Sequence, residues 1–171
     1  LGRQSVADPV VYLENQVSTD SSSGHGTHVA GIAAGFGTAS ATPGRYRGVA
    51  HGARLIGLGA GEVAEVDTVL GAWDWILANK DNPAYNIKVV NNSWGPGAGA
   101  QYDPDEPVQR GIAALHDAGL VVVFGAGNDG PKSGTINIFS ANPKAISAAA
   151  SSKAGHIALF SSRGVPGSPL L

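Results

Sequence analysis

The chain has 171 residues, 43% hydrophobic and 14% charged against a usual ~25% charged, so it is neither a disordered tail nor a charge-rich segment, and its length suits one domain with a sizeable core. A formal net charge of -2 gives no electrostatic reason to expect nucleic acid, and no apolar run approaches the ~18 residues of a membrane span. Cys is absent, which removes disulfides, thiolate metal sites and Cys nucleophiles; Met is absent too, so Leu1 is not a translation start and a processed or partial chain is expected.

Gly, at 25 residues, is about twice its usual ~7% share, which predicts many tight turns or close backbone approaches. In chain order, 10–13 (VVYL) reads as a short strand and 18–24 (STDSSSG) as a polar loop. Residues 25–34 (HGTHVAGIAA) carry small apolar side chains at helical spacing and predict a helix that packs closely on a sheet. A loop over 38–48 follows, then a buried strand over 54–58 (RLIGL). Residues 66–79 (VDTVLGAWDWILAN) form the clearest amphipathic helix, with Val66, Leu70, Trp73 and Leu77 as its apolar stripe. A strand is predicted over 87–91, then a second amphipathic helix over 107–118 closed by Gly119 as C-cap. The apolar run 120–124 (LVVVF) reads as a buried strand, and 145–150 and 157–160 as weaker ones.

Strand, helix, strand, helix, strand predicts an α/β fold with a mostly parallel sheet. Ligands of such sheets sit outside the carboxyl ends of the strands, which points to 59–62, 92–95 and 125–130 as the site. The last stretch is a literal G-x-G-x-x-G, but a dinucleotide site also needs a helix opening there and an acidic residue about 20 positions on. Pro131 follows instead, and no Asp or Glu occurs after Asp129. His25 and His28 lie three apart on a predicted helix without the H-E-x-x-H pattern of a metalloprotease, so no metal site is assigned to them. His28, His51, His116 and His156 read as ordinary polar groups.

The stretch 23–31, SGHGTHVAG, resembles the histidine motif H-G-T-x-V-A-G of the subtilisin-like serine proteases, peptidase family S8. Four further landmarks follow in the family's order. Residues 48–53 (GVAHGA) are similar to its G-V-A-P-G-A turn, departing at His51 where Pro is usual. Asn92-Ser93-Trp94-Gly95 resembles its S-x-G segment, 124–130 (FGAGNDG) its A-A-G-N-x-G, and 160–164 (FSSRG) its F-S-[SN]-x-G. The resemblance runs from about residue 10 to residue 164. It implies a three-layer α/β fold with a mostly parallel central sheet flanked by helices, incomplete at both ends. It implies that His25 is the general base and that the Asn128 amide helps form the oxyanion hole. It also implies that Ser93, Trp94 and Gly95 pair with substrate and wall the first specificity pocket, with Ala126 and Gly127 also on the substrate side. Gly61 falls on the opposite edge strand by position.

The family's triad runs Asp, His, Ser along the chain. Asp8 and Asp20 precede His25, but neither lies in the family's D-[ST]-G motif. The nucleophile's G-T-S-M-A motif needs a Met, and Ser168, set between Gly167 and Pro169, is rejected in its place. Residues 1–171 are therefore expected to be a partial subtilisin-like peptidase domain without the Asp-motif and Ser-nucleophile regions. Such a chain is expected to be inactive alone and poorly soluble. Catalysis of this kind takes no cofactor. The family often carries structural calcium on loops, and Asp103, Asp105 and Glu106 offer an acidic loop, although those residues read better as a charged helix start. The implied partner is a peptide or protein substrate, with no nucleic acid and no membrane, and the resemblance implies secretion. Two other readings stay open: a peptide-binding pseudoenzyme that hydrolyses nothing, and a nucleotide-binding α/β protein, which would need a helix at Gly130.

Overall fold

The computed structural model describes residues 12–20, 23–39, 41–61, 63–98 and 101–167. The chain divides into two compact units, Leu1–Glu62 and Val63–Leu171. Among the described residues no helix is long and apolar enough to cross a membrane.

In the first unit, helix α1 spans His25–Ala34, the bounds its sequence predicts. Asp20 organises its start: the carboxylate accepts from Gly24 N (3.1 Å) and from Thr27 Oγ1 (2.5 Å). Its other end is closed by the 48–53 turn. Gly48 N bonds Gly35 O (2.8 Å), Val49 N bonds Ile32 O (3.1 Å) and Ala50 N bonds Ala33 O (2.8 Å), so carbonyls that a helix C-terminus leaves unpaired find donors. Gly48 must be Gly, since a Cβ there would stand 2.5 Å from Ala34 N. Phe36 and Arg47 form an antiparallel bridge across the loop between.

One predicted strand of this unit, 54–58, does not form, and the other, 10–13, lies partly outside the described residues. Residues 10 and 11 lie outside the described residues, and Tyr12 and Leu13 are not in a strand. Residues 54–58 are an irregular exposed segment, with Leu55, Ile56 and Leu58 at 55%, 42% and 39%. An apolar run becomes a strand only beside another strand, and the described part of this unit holds no sheet. For the same reason the small residues of α1 have no sheet within the unit to pack on: positions Gly26 and Gly31 face open space, and Ala34 alone is buried.

In the second unit, α2 (Val66–Asn79), β1 (Val89–Asn92), α3 (Pro107–Asp117), β2 (Val121–Gly125) and β3 (Ala145–Ala148) follow in order. The strands pair in parallel as β1-β2-β3, with Val90 opposite Val122, Asn92 opposite Phe124, and Phe124 opposite Ser147. Helix and strand alternate up to β2, and β3 follows without an intervening helix; the sheet is parallel, as predicted. The 157–160 stretch contributes only an isolated antiparallel bridge, Ser151 with Ile157, rather than a strand.

α3 is set by local chemistry. Glu106 at the N-cap accepts from Gln109 N (2.9 Å), and Pro107 takes the first helical position, where its missing N–H costs nothing. At the far end Gly119, at φ 86°, allows Leu120 N to reach Leu115 O (3.1 Å) and Gly119 N to reach His116 O (2.8 Å), a Schellman closure. Val108, Ile112 and Leu115 recur on one face and are buried, with Val122 and Phe124 of β2. Full burial of each contributes roughly 1.5–3 kcal/mol. The buried stripe of α2 is Val69, Trp73 and Ile76; Val66 is 47% exposed, so the face is rotated from the Val66, Leu70, Trp73, Leu77 stripe the pattern predicts. Trp73, Trp94, Phe124 and Phe139 form an aromatic cluster with ring centroids 5.3 to 6.4 Å apart. It fills the core directly beneath the carboxyl ends of β1 and β2.

Candidate functional site

The carboxyl ends of β1 and β2 lead into 93–98 and 126–130, the polar and glycine-rich stretches where a parallel sheet presents its ligand site. The β2 end is clamped by Ser162, which is 4% exposed. Ser162 N donates to Gly127 O (2.9 Å), and Ser162 Oγ accepts from Asp129 N (3.0 Å). Asn128 lies between the two clamped residues, and its exposed side chain takes no part in the clamp. Gly127 has φ 104°, and a Cβ there would stand 2.7 Å from Ser162 Oγ. Ala126 is buried; its N–H bonds Ala148 O (2.9 Å) of β3 and its carbonyl accepts from Asn137 N (2.7 Å). Gly130 N bonds Phe160 O (2.9 Å), and no helix opens at Gly130, the feature a nucleotide-binding protein needs.

On the β1 side, Asn92 is buried and its Nδ2 reaches Val123 O (3.3 Å) across the strand pair. Ser93 is half-buried, and its Oγ accepts from Asn91 Nδ2 (3.0 Å). The Trp94 indole lies in the aromatic cluster, so its side chain is engaged in the core. What this segment turns outward is backbone at Gly95 and Pro96, both exposed. Ala98 N then donates to Asp129 Oδ2 (2.9 Å), which ties the two strand-end segments to each other.

Asn137 joins the same two segments and was not singled out by the sequence. It is 4% exposed, and its Nδ2 donates to Trp94 O (3.1 Å) and to Gly125 O (3.0 Å). A Cβ on Gly95 would run into this amide, which is why the position beside it is Gly. The one signal in the sequence is a polar residue inside an otherwise apolar stretch, Thr135-Ile136-Asn137-Ile138-Phe139.

Among the described residues no group of three or more His, Asp or Glu is placed to hold a metal ion. In the acidic loop, Glu106 caps α3 and Asp103 Oδ1 accepts from Asp105 N (2.9 Å), both local turn contacts. A cleft of about 220 Å³ beside this loop is lined by Pro96, Asp103, Glu106, Gln109 and Phe139.

His25 and Gly61 belong to the first unit. His25 opens α1 and is exposed, with its N–H directed at Ser23 Oγ (3.4 Å). His28 is exposed on the same helix and His51 on the turn that closes it. Gly61 is exposed at φ 86° in a turn, not in an edge strand. Ser93, Trp94, Gly95, Ala126, Gly127 and Asn128 are thus gathered at one sheet end of the second unit. Asp8 and Ser168 lie outside the described residues.

Comparison with known proteins gives consistent matches. The family model described as the Subtilase family matches residues 3–168. Serine protease AprX of Bacillus subtilis (strain 168) is 37% identical over 157 aligned positions, covering 82% of this chain and 34% of AprX. Subtilisin-like protease 2 of Trichophyton verrucosum is 34% identical over 142, covering 81% of this chain and 30% of that protein. The chain therefore spans about a third of the length of these curated relatives. A solved structure described as a psychrophilic protease is 31% identical with a TM-score of 0.63, over 80% of this chain and 44% of that one. The self-cleaved protease domain of PatA, at 21% identity, shares the fold with a TM-score of 0.64 over 89% of this chain and 53% of that one.

Proposed function

Since the chain belongs to the subtilase family, we propose that it supplies the base, the oxyanion donor and substrate-binding backbone of a serine endopeptidase. In this reading the His25 imidazole takes the proton from the nucleophilic serine hydroxyl as its oxygen bonds the scissile carbonyl carbon. The carbonyl oxygen becomes an oxyanion, and the Asn128 amide donates to it. His25 then gives the proton to the leaving amine as the C–N bond breaks, and water completes hydrolysis of the acyl-enzyme by the same route. The substrate lies extended, pairing with backbone at 93–95 as an added strand.

The observation that carries the reading is Asn128. Its neighbours on both sides are fixed by Ser162, while its own side chain is exposed beyond the end of a parallel strand. An oxyanion donor has to be held in place before charge develops, and a clamped backbone with an outward amide meets that need. Ala126 and Gly127 set the path of that backbone. Gly61 is proposed as a further substrate contact.

No residue of this chain is assigned as the nucleophilic serine or the orienting aspartate, and we take the 171-residue chain by itself to lack peptidase activity. Catalysis requires no cofactor. The substrate class is peptides and proteins, and the enzyme is read as secreted.

The test uses the protein expressed from its full reading frame. Peptide hydrolysis blocked by a serine-directed phosphonate is expected. Replacing His25→Ala should abolish turnover. Asn128→Ala should lower kcat by about 10²–10³, the scale set in subtilisin by loss of one such donor. Peptide binding without hydrolysis or phosphonate labelling would instead identify a pseudoenzyme, and labelling of the 171-residue chain itself would overturn its predicted inactivity.

A further inference from the structure

We propose that Asn137 is the positioning residue that sets the spacing between the two strand ends of the site, an inference that rests on the roles given above to 93–95 and Asn128. The β1–β2 ladder ends at the pair Asn92 and Phe124. Beyond that pair the regular ladder stops and side chains join the two segments, Ala98 N to Asp129 Oδ2 being one such tie. The Asn137 amide takes over at that point: one N–H reaches Trp94 O on the β1 side (3.1 Å) and the other reaches Gly125 O on the β2 side (3.0 Å). Both donors of the amide are used, each on a different wall.

The amide is itself held. Its oxygen accepts from Phe139 N (3.1 Å), so only one orientation of the side chain satisfies all three partners. The Asn137 backbone N–H bonds Ala126 O (2.7 Å), and its carbonyl accepts from Ser140 N (2.9 Å) and Ser140 Oγ (2.7 Å). The loop is then anchored to α3, because Gln109 Nε2 donates to Ile138 O (3.0 Å) and Gln109 Oε1 accepts from Asn142 Nδ2 (2.8 Å). Gln109, Asn137 and Asn142 are all at least 96% buried. A run of buried side-chain amides thus connects a helix of the core to both walls.

Gly125 stands three residues before Asn128, and Trp94 stands within the substrate-pairing segment. A shift of either wall by about 1 Å is enough to cost ~10²-fold in rate. Loss of the Asn137 amide should therefore act in two ways. It raises KM through the 93–95 wall, and it lowers kcat by displacing the Asn128 donor.

The experiment is a double-mutant cycle in the protein expressed from its full reading frame, following peptide hydrolysis and thermal unfolding together. We expect Asn137→Ala to raise KM about tenfold and lower kcat ~10–100-fold. In the Asn128→Ala background the same change should lower kcat by less than ~3-fold, while the rise in KM persists. A multiplicative fall in kcat in both backgrounds would overturn the coupling. So would unchanged kinetic constants with a lowered Tm, since that is what a merely structural residue gives. If the unsubstituted protein hydrolyses no peptide, the functional reading fails first and this proposal with it. If Asn137→Ala does not fold, the cycle is run with the near-isosteric Asn137→Asp. Its activity relative to the unsubstituted protein at each pH should rise toward acid, as protonation returns one donor; a flat ratio counts against the proposal.

Discussion

Gly127 sits where two demands meet, a left-handed backbone at φ 104° and a hydroxyl 2.7 Å from where its Cβ would be. Gly127→Ala is therefore expected to destabilise the protein by about 1–3 kcal/mol, read as a fall in Tm. Ser162→Ala should act at the same point from the other side. It leaves the Ser162 N–H on Gly127 O but removes the acceptor of Asp129 N, freeing one side of Asn128. A loss of about 1 kcal/mol is expected on unfolding, together with a lower kcat and little change in KM. At this scale the sequence offers candidates only where a motif surrounds the residue, as at His25 and Asn128. It is silent about Asn137 and Gln109, and it marks Ser162 only as part of the 160–164 landmark, without its clamp. Their distant partners lie 12 and 43 residues away for Asn137 Nδ2, 29 and 33 for the Gln109 amide, and 33 for Ser162 Oγ. Such pairings arise only once the strands have brought distant loops together. Trp94 illustrates the same point, because a motif cannot say which way an indole turns.

Between elements, α2 packs closely on α3. A Cβ on Gly111 would come 2.6 Å from the Trp73 ring, so Gly111→Ala should push the helices apart at a cost of about 1–3 kcal/mol. A second link joins the end of α3 to the start of β3. Lys144 Nζ lies 2.7 Å from both Asp117 carboxylate oxygens. That hydrogen bond, and a second from His116, hold the Asp117 carboxyl below the ordinary carboxylate range. A depressed folded-state pKa stabilises the protein above the unfolded value near 4 and loses that contribution as pH falls through the folded one. The pair is exposed, so the stability effect is small. The measurable sign is that Lys144→Ala raises the Asp117 pKa toward the ordinary value in an NMR titration. Elements closed by their own chemistry were legible beforehand. The spacing of 66–79, and the Pro107 and Gly119 that bracket α3, gave those helices to within a residue. The strand expected at 54–58 failed because its apolar run has no neighbouring strand among the described residues of its unit, and pairing is not written in a single segment.

For the molecule as a whole, the described core is concentrated in the second unit, where Phe124 is fully buried against three other aromatic rings. Phe124→Ala is expected to cost about 3–5 kcal/mol, a large share of a typical domain's stability, and to remove near-ultraviolet dichroism from the cluster. The opposite sheet face is different. Val89, Val121 and Ile146 are 56%, 44% and 56% exposed. Exposed apolar sheet surface favours association, so the 171-residue chain is expected to show concentration-dependent scattering. Val121→Thr with Ile146→Thr should reduce it without lowering Tm by much.

The fastening of residues 48–50 onto the end of α1 has a consequence for what the chain can accommodate. The three backbone bonds and the Phe36–Arg47 bridge hold both ends of the intervening loop, so its closure does not depend on what the loop contains. Doubling the length of such a loop costs only about 0.6 kcal/mol. The stretch around Pro43 and Gly44 is thus a natural port for a grafted epitope or reporter, able to vary freely while the helix that begins at His25 stays capped.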